Sequence, residues 1–171
     1  MPVYMLNSSS LLGRHFGIAD YNDTATAATP VTISPDTWTT LPNDGLGAFS
    51  RASLPIGVGT LLGAGGSIDI TDFTENSWID VRTDFTVTPS SNNADLDFRF
   101  LLGAGLGEYD LPSSIGRLDQ GAGVPYRRSG IINGIYAGDL NTIDNPIQLQ
   151  IKLSSAGTAV NAGMYLKVYK R

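Results

Sequence analysis

The sequence predicts an all-β fold, an antiparallel two-sheet sandwich, on three observations. Apolar side chains recur at every second position in four separate segments, 20 glycines and nine prolines punctuate the chain between them, and few stretches carry helical spacing. At 171 residues the chain falls within the range of one domain. A domain of that size buries roughly 70% of the surface its unfolded form exposes, enough for a core without covalent staples.

The elements follow in chain order. Residues 1–28, with Ser8–Ser10 and the polar run at 20–29, carry no clean periodicity and are expected to form an extended N-terminal arm. Short strands are expected at 30–34 and 37–41, separated by a tight turn at Pro35–Asp36, where proline presets the first central φ. Residues 42–66 are rich in glycine and read as a long loop, followed by a weak strand at 67–73. The strongest alternation lies at 78–88. Ile79, Val81, Phe85 and Val87 share one face with Thr83, and Asp80, Arg82, Asp84 and Thr86 share the other.

The next strand, 95–102, places Leu96, Phe98, Phe100 and Leu102 inward, and residues 89–93 are expected to join it to its predecessor as a hairpin loop. A second long glycine-rich loop is expected over 103–129, then a weaker strand at 130–136. Ile147, Leu149, Ile151 and Leu153 alternate in the penultimate strand, and residues 154–157 read as its hairpin link to the last. That last strand alternates Met164, Leu166 and Val168 with Tyr165, Lys167 and Tyr169. About eight half-buried strands of this kind suit a jelly-roll sandwich over residues 29–171.

Charge and composition exclude several function classes. The net charge is −5 with an isoelectric point near 4.6, opposite to a nucleic-acid footprint, so no nucleic-acid partner is expected. The basic clusters at Arg127–Arg128 and at Lys167, Lys170 and Arg171 are of the size that surfaces and chain ends ordinarily carry. Cysteine is absent, which removes disulfides, thiolate metal sites and a cysteine nucleophile. No apolar run approaches membrane-spanning length, and the N-terminus lacks the charged and apolar regions of a signal peptide, so no membrane partner is expected.

No catalytic, cofactor-binding or metal site is assigned. His15 is the single histidine and lies in the arm, which leaves a triad or a zinc site without partners. Glu75 and Glu108 are the two glutamates, both in or beside loops, and the strand aspartates fall on outward positions where solubility explains them. Asp139, Asn141, Asp144 and Asn145 gather oxygen ligands in one loop. Either a cation or self-bonded Asx turns would use them, and the spacing is not that of an EF-hand. The glycine strings at 57–66 and 103–107 lack the Lys-Ser/Thr of a phosphate loop, and neither sits between a strand and a helix. Trp78 and Tyr165 fall on outward positions, and Trp38 lies on an early strand. Such aromatics stack on sugars, fill a subunit interface or lie under a loop of their own chain.

The run at 29–50, the strand pair at 78–103 and the ending at 134–171 together resemble small jelly-roll proteins of tailed-phage virions, similar in form to tumour necrosis factor-like heads. The resemblance implies a homotrimer packed about a threefold axis and carries no catalytic residues. It further implies a non-enzymatic place on the virion, as a capsid decoration (cement) protein bound to the major capsid protein or as a receptor- or glycan-binding fibre tip. Tyr165, Tyr169 and Trp78 are then the expected trimer-interface residues, and Trp38 the expected ligand-facing one. The absence of heptads or collagen-like repeats favours decoration, which implies assembly in the host cytoplasm and a final position on the capsid surface.

Overall fold

A computed structural model describes residues 15–171. Within them the elements run β1 (Phe16–Asn22), α1 (Ala25–Ala28), β2 (Val31–Ile33), β3 (Thr39–Thr40), β4 (Arg51–Ser53), β5 (Ser77–Pro89) and β6 (Ala94–Leu102). They continue with β7 (Tyr109–Leu118), β8 (Tyr126–Ala137), α2 (Leu140–Asp144), β9 (Gln148–Leu153) and β10 (Gly157–Tyr169). The strands form two antiparallel sheets. One has the order β4-β1-β10-β5-β8 with β2 also on β10, and the other has the order β3-β9-β6-β7. The chain changes sheet between β2 and β3, β3 and β4, β5 and β6, β7 and β8, β8 and β9, and β9 and β10. That alternation makes the sandwich a jelly roll.

The core lies between the sheets, where the inward sets meet. Ile79, Val81, Phe85 and Val87 of β5 are buried against Leu96, Phe98 and Phe100 of β6. Phe85 and Phe98 approach across the two sheets with ring centroids 6.5 Å apart, and Phe98 meets Phe100 edge-on at 6.4 Å. Such tilted contacts suit the aromatic quadrupole.

The N-terminal arm requires correction where it is described. Residues 16–22 are not an arm but β1, paired with β10 from Phe16↔Tyr169 to Asn22↔Gly163 and with β4 on its other side. Its alternation escapes a reading by hydrophobicity because Gly17 and Ala19 occupy inward positions and Ile18 an outward one. Residues 1–14 lie outside the described residues. β2 continues along the same edge of β10, and α1 fills the gap between the two strands. There the buried Thr26 hydroxyl donates to Asp23 and accepts from the Asn161 amide at 2.8 Å.

Three other expectations change. The links 89–93 and 154–157 are not hairpin loops, because the strands they join belong to opposite sheets. Each turns the corner of the sandwich, and the Ser90 amide donates to the Ala156 carbonyl to hold the two corners together. Residues 67–73 bury Ile68, Ile70 and Phe73 but make only single bridges at Ile68, since Asp69 captures the Thr71 amide and turns the chain away. The long connections carry strands of their own, β4 within 42–66 and β7 within 103–129. β7 is an edge strand with Pro112 in it and little buried surface, so its apolar signal is faint.

Candidate functional site

The outer face of the six-stranded sheet is built by the residues that alternate away from the core. On β5 these are Trp78, Asp80, Arg82 and Asp84, and on β10 they are Tyr165, Lys167 and Tyr169. Antiparallel register places Phe16 opposite Tyr169, Tyr169 opposite Trp78, and Trp78 opposite Tyr136. Four aromatic side chains from four strands therefore stand in one row across the sheet. Ring centroids are 5.1 Å apart for Phe16–Tyr169 and 6.3 Å for Trp78–Tyr136. Their exposures, 38% for Phe16, 52% for Tyr169, 41% for Trp78 and 50% for Tyr136, leave the row open to solvent.

Local contacts hold the row in place. The Trp78 indole N–H donates to Asp80 at 2.7 Å, and the Tyr136 hydroxyl donates to Asn76. The indole lies over Gly134, where a Cβ would come within 2.4 Å of the ring. Only glycine leaves room for it there.

The next rows are charged and balanced. Lys167 stands opposite Asp80, and Asp20 stands between Arg51 on one side and Tyr165 on the other. Arg82 reaches Asp84 at 2.9 Å and lies 5.7 Å from the centre of the Tyr165 ring. Three cations (Arg51, Arg82, Lys167) thus meet three anions (Asp20, Asp80, Asp84) on a chain whose net charge is −5. These rows are neutral although the molecule is acidic, and Arg127 of β8, opposite Thr86, stands as a further cation beyond them.

The structure brings Trp78, Tyr165 and Tyr169 onto this one face, with Tyr165 half-buried and the other two exposed. Trp38 is elsewhere. It lies on the outer face of the four-stranded sheet, half-buried between the Arg99 guanidinium 4.4 Å and the Lys152 ammonium 4.7 Å from its ring centre. Arg99 is held in turn by Gln150 and Asp110, each at 2.8 Å, and Lys152 by Asp97 at 3.3 Å. This second face is a cross-linked polar network, and its aromatic ring is already stacked.

The other groups singled out in the sequence serve local structure. His15 donates its Nδ1 proton to the Lys170 carbonyl at 3.0 Å. Glu108 accepts from the Gly105 amide at 2.9 Å. Asp139 caps α2 by accepting from the Thr142 amide at 2.8 Å, and Asn141 donates to the Gly107 carbonyl at 2.9 Å. Among the described residues no group of three or more His, Asp or Glu side chains is placed to hold a metal ion, and no helix is long and apolar enough to cross a membrane.

Sequence reading missed Phe16 and Tyr136. Phe16 lies in the segment taken for an arm, and Tyr136 belongs to the outward set of a strand recognised only by its apolar residues. The tyrosine at the end of 130–136 was the available signal, but its neighbour across the sheet was not visible.

No family model matches this chain, and no curated protein matches it. Among solved structures it is similar to the PRD1 vertex protein P5, with a TM-score of 0.46 and 16% identity over 92% of this chain and 98% of that one. It is also similar to a chain from the structure of infectious bursal disease virus Gt strain, with a TM-score of 0.41 and 14% identity over 92% of this chain and 33% of that one.

Proposed function

We propose that this chain is a non-enzymatic structural protein of a phage virion. In this reading it is a homotrimeric decoration (cement) protein, assembled in the host cytoplasm and bound to the major capsid protein on the capsid surface. The aromatic row carries the proposal. Monomeric proteins seldom leave Phe16, Tyr169, Trp78 and Tyr136 side by side in water, and tyrosine and tryptophan are enriched where subunits meet. The balanced charges beside the row support sister chains as its cover, because copies carrying a net −5 repel one another least where the local charges cancel. The resemblance of the strand order to small virion jelly rolls supplies the setting.

Multi-angle light scattering at micromolar concentration tests the oligomer, and sedimentation with undecorated heads tests the partner. The expected mass is three times the 18.1 kDa of the chain, with co-sedimentation. A monomer that leaves heads unbound overturns the proposal. A second reading, the receptor- or glycan-binding tip of a fibre, is favoured by one observation. The Trp78 indole, lying over Gly134 with the Asp80 carboxylate at its N–H, offers a sugar both an exposed aromatic surface and an acceptor. Saccharide binding lost in Trp78→Ala, with the oligomer intact, would select it.

A further inference from the structure

Three polar groups on one side of the core lack a partner. Among the described residues, Thr83 Oγ1, Arg128 Nε and Asn133 Nδ2 are the only buried side-chain nitrogen or oxygen atoms without a hydrogen bond. Buried polar groups are paired almost everywhere in native proteins, so three orphans on neighbouring rungs point to a missing occupant. Register brings them together. Thr83, 1% exposed, lies on the inner face of β5 two residues from Val81 and two from Phe85, which stand opposite Asn133 and Arg128 of β8. Directly opposed residues share a face, so all three side chains lie on the inner side of the sheet. Along the strands Arg128 and Asn133 are each offset from Thr83 by roughly 7 Å.

A bulge turns Arg128 inward. Between these rungs β8 carries Ser129 and Gly130 against the single Asp84 of β5, and the Gly130 amide donates to Asp84 at 3.0 Å. With one residue fewer, alternation would face Arg128 to water. No carboxylate meets it on the inner side. Arg128 has no ion pair among the described residues, its Nη1 donates to the Arg127 carbonyl at 3.3 Å, and its guanidinium lies 5.6 Å from the Tyr126 ring centre. The orphans are an arginine N–H, an amide N–H and a hydroxyl, all able to donate. Donors beside a planar cation suit a carboxylate. The place is reachable, because β8 and β7 are the last strands of their sheets beyond the packed pair β5 and β6, and Arg128 and Asn133 are half-buried.

We infer that the inner face of β5 and β8, at the open side of the sandwich, binds a carboxylate through Arg128, Asn133 and Thr83. The site is separate from the aromatic row and does not depend on the trimer.

Nitrogen-15 NMR of the full wild-type chain tests it, with sodium acetate replacing sodium chloride at constant ionic strength. Saturable shifts are expected at the Arg128 Nε–H and the Asn133 side-chain amide, and none at Arg117, an exposed arginine of β7. Arg128→Lys keeps the charge without the guanidinium fork, and Thr83→Val removes the hydroxyl. Each should weaken acetate binding about tenfold or more, the contribution of one hydrogen bond to a charged group. A glutamate residue capped at both ends, titrated in the same way, identifies the source. Saturation by both probes assigns the site to an acidic side chain of a partner protein, and saturation by acetate alone assigns it to a small free acid. The absence of a saturable shift with either probe means that the three groups hold water only and overturns the inference. Binding left undiminished by either variant overturns it as well. The wild-type titration decides the matter if a variant fails to fold.

Discussion

Single residues control how the outer face is presented. Gly134 is one, since the Trp78 ring occupies the volume of its missing Cβ. Gly134→Ala should lift the indole from the sheet and shift its fluorescence to the red, measured with Trp38→Phe as background so that Trp78 alone reports. An unchanged emission maximum would mean that the ring does not lie on the glycine. Asp44 is another. Its carboxylate accepts from the Leu46 amide and from the Thr24 hydroxyl and amide, and these bonds lower its pKa from 3.8 to about 2. Because the folded value is depressed, the contribution is complete above 3.8 and disappears as the pH falls through about 2. Hydrogen exchange at the Thr24 and Leu46 amides should therefore lose its protection across that interval, and Asp44→Asn should abolish the pH dependence. Identical profiles in both proteins would contradict this.

At the level of elements, β10 organises the six-stranded sheet, with β5 along one edge and β1 and β2 sharing the other. The break between β1 and β2 is tolerated because α1 supplies Thr26 to the buried amide of Asn161. Thr26→Ala would leave that amide without a partner and should cost about 1–3 kcal/mol in a urea melt, whereas Thr26→Ser should recover most of it. Equal stability of the two variants would remove the hydroxyl from the account. The same elements show how far local pattern reaches. β5, β6, β9 and the end of β10 are legible from their own residues because each has one buried apolar face and one wet face. β1, which spends inward positions on Gly17 and Ala19, and β7, an edge strand with Pro112, have no such contrast. Residues 67–73 fail in the other direction, since Ile68, Ile70 and Phe73 alternate and are buried without continuous strand pairing. Alternation reports burial, and burial does not require a ladder.

The whole molecule is two-faced. The four-stranded sheet shows water a network in which Arg99, Lys152, Asp97 and Asp110 are paired with one another, and the six-stranded sheet shows an aromatic row beside balanced charges. Association through the second face should be driven by apolar burial, so it should survive sodium chloride that screens the charges and strengthen in sulfate, which favours burial. Sedimentation equilibrium across the two salts measures this. Dissociation in 1 M sodium chloride would assign the contact to ion pairs instead. By itself the sequence determined the fold class, the core faces of four strands and the outward positions of Trp78, Tyr165 and Tyr169, because which way a side chain points along a strand is set by parity within that strand. Only the tertiary structure decided that Phe16 and Tyr136 join Trp78 and Tyr169 in one row, that Trp38 lies on the opposite sheet, and that short links turn corners instead of closing hairpins. Those outcomes depend on which strands lie side by side and in what register, and such pairings join residues as far apart as Phe16 and Tyr169.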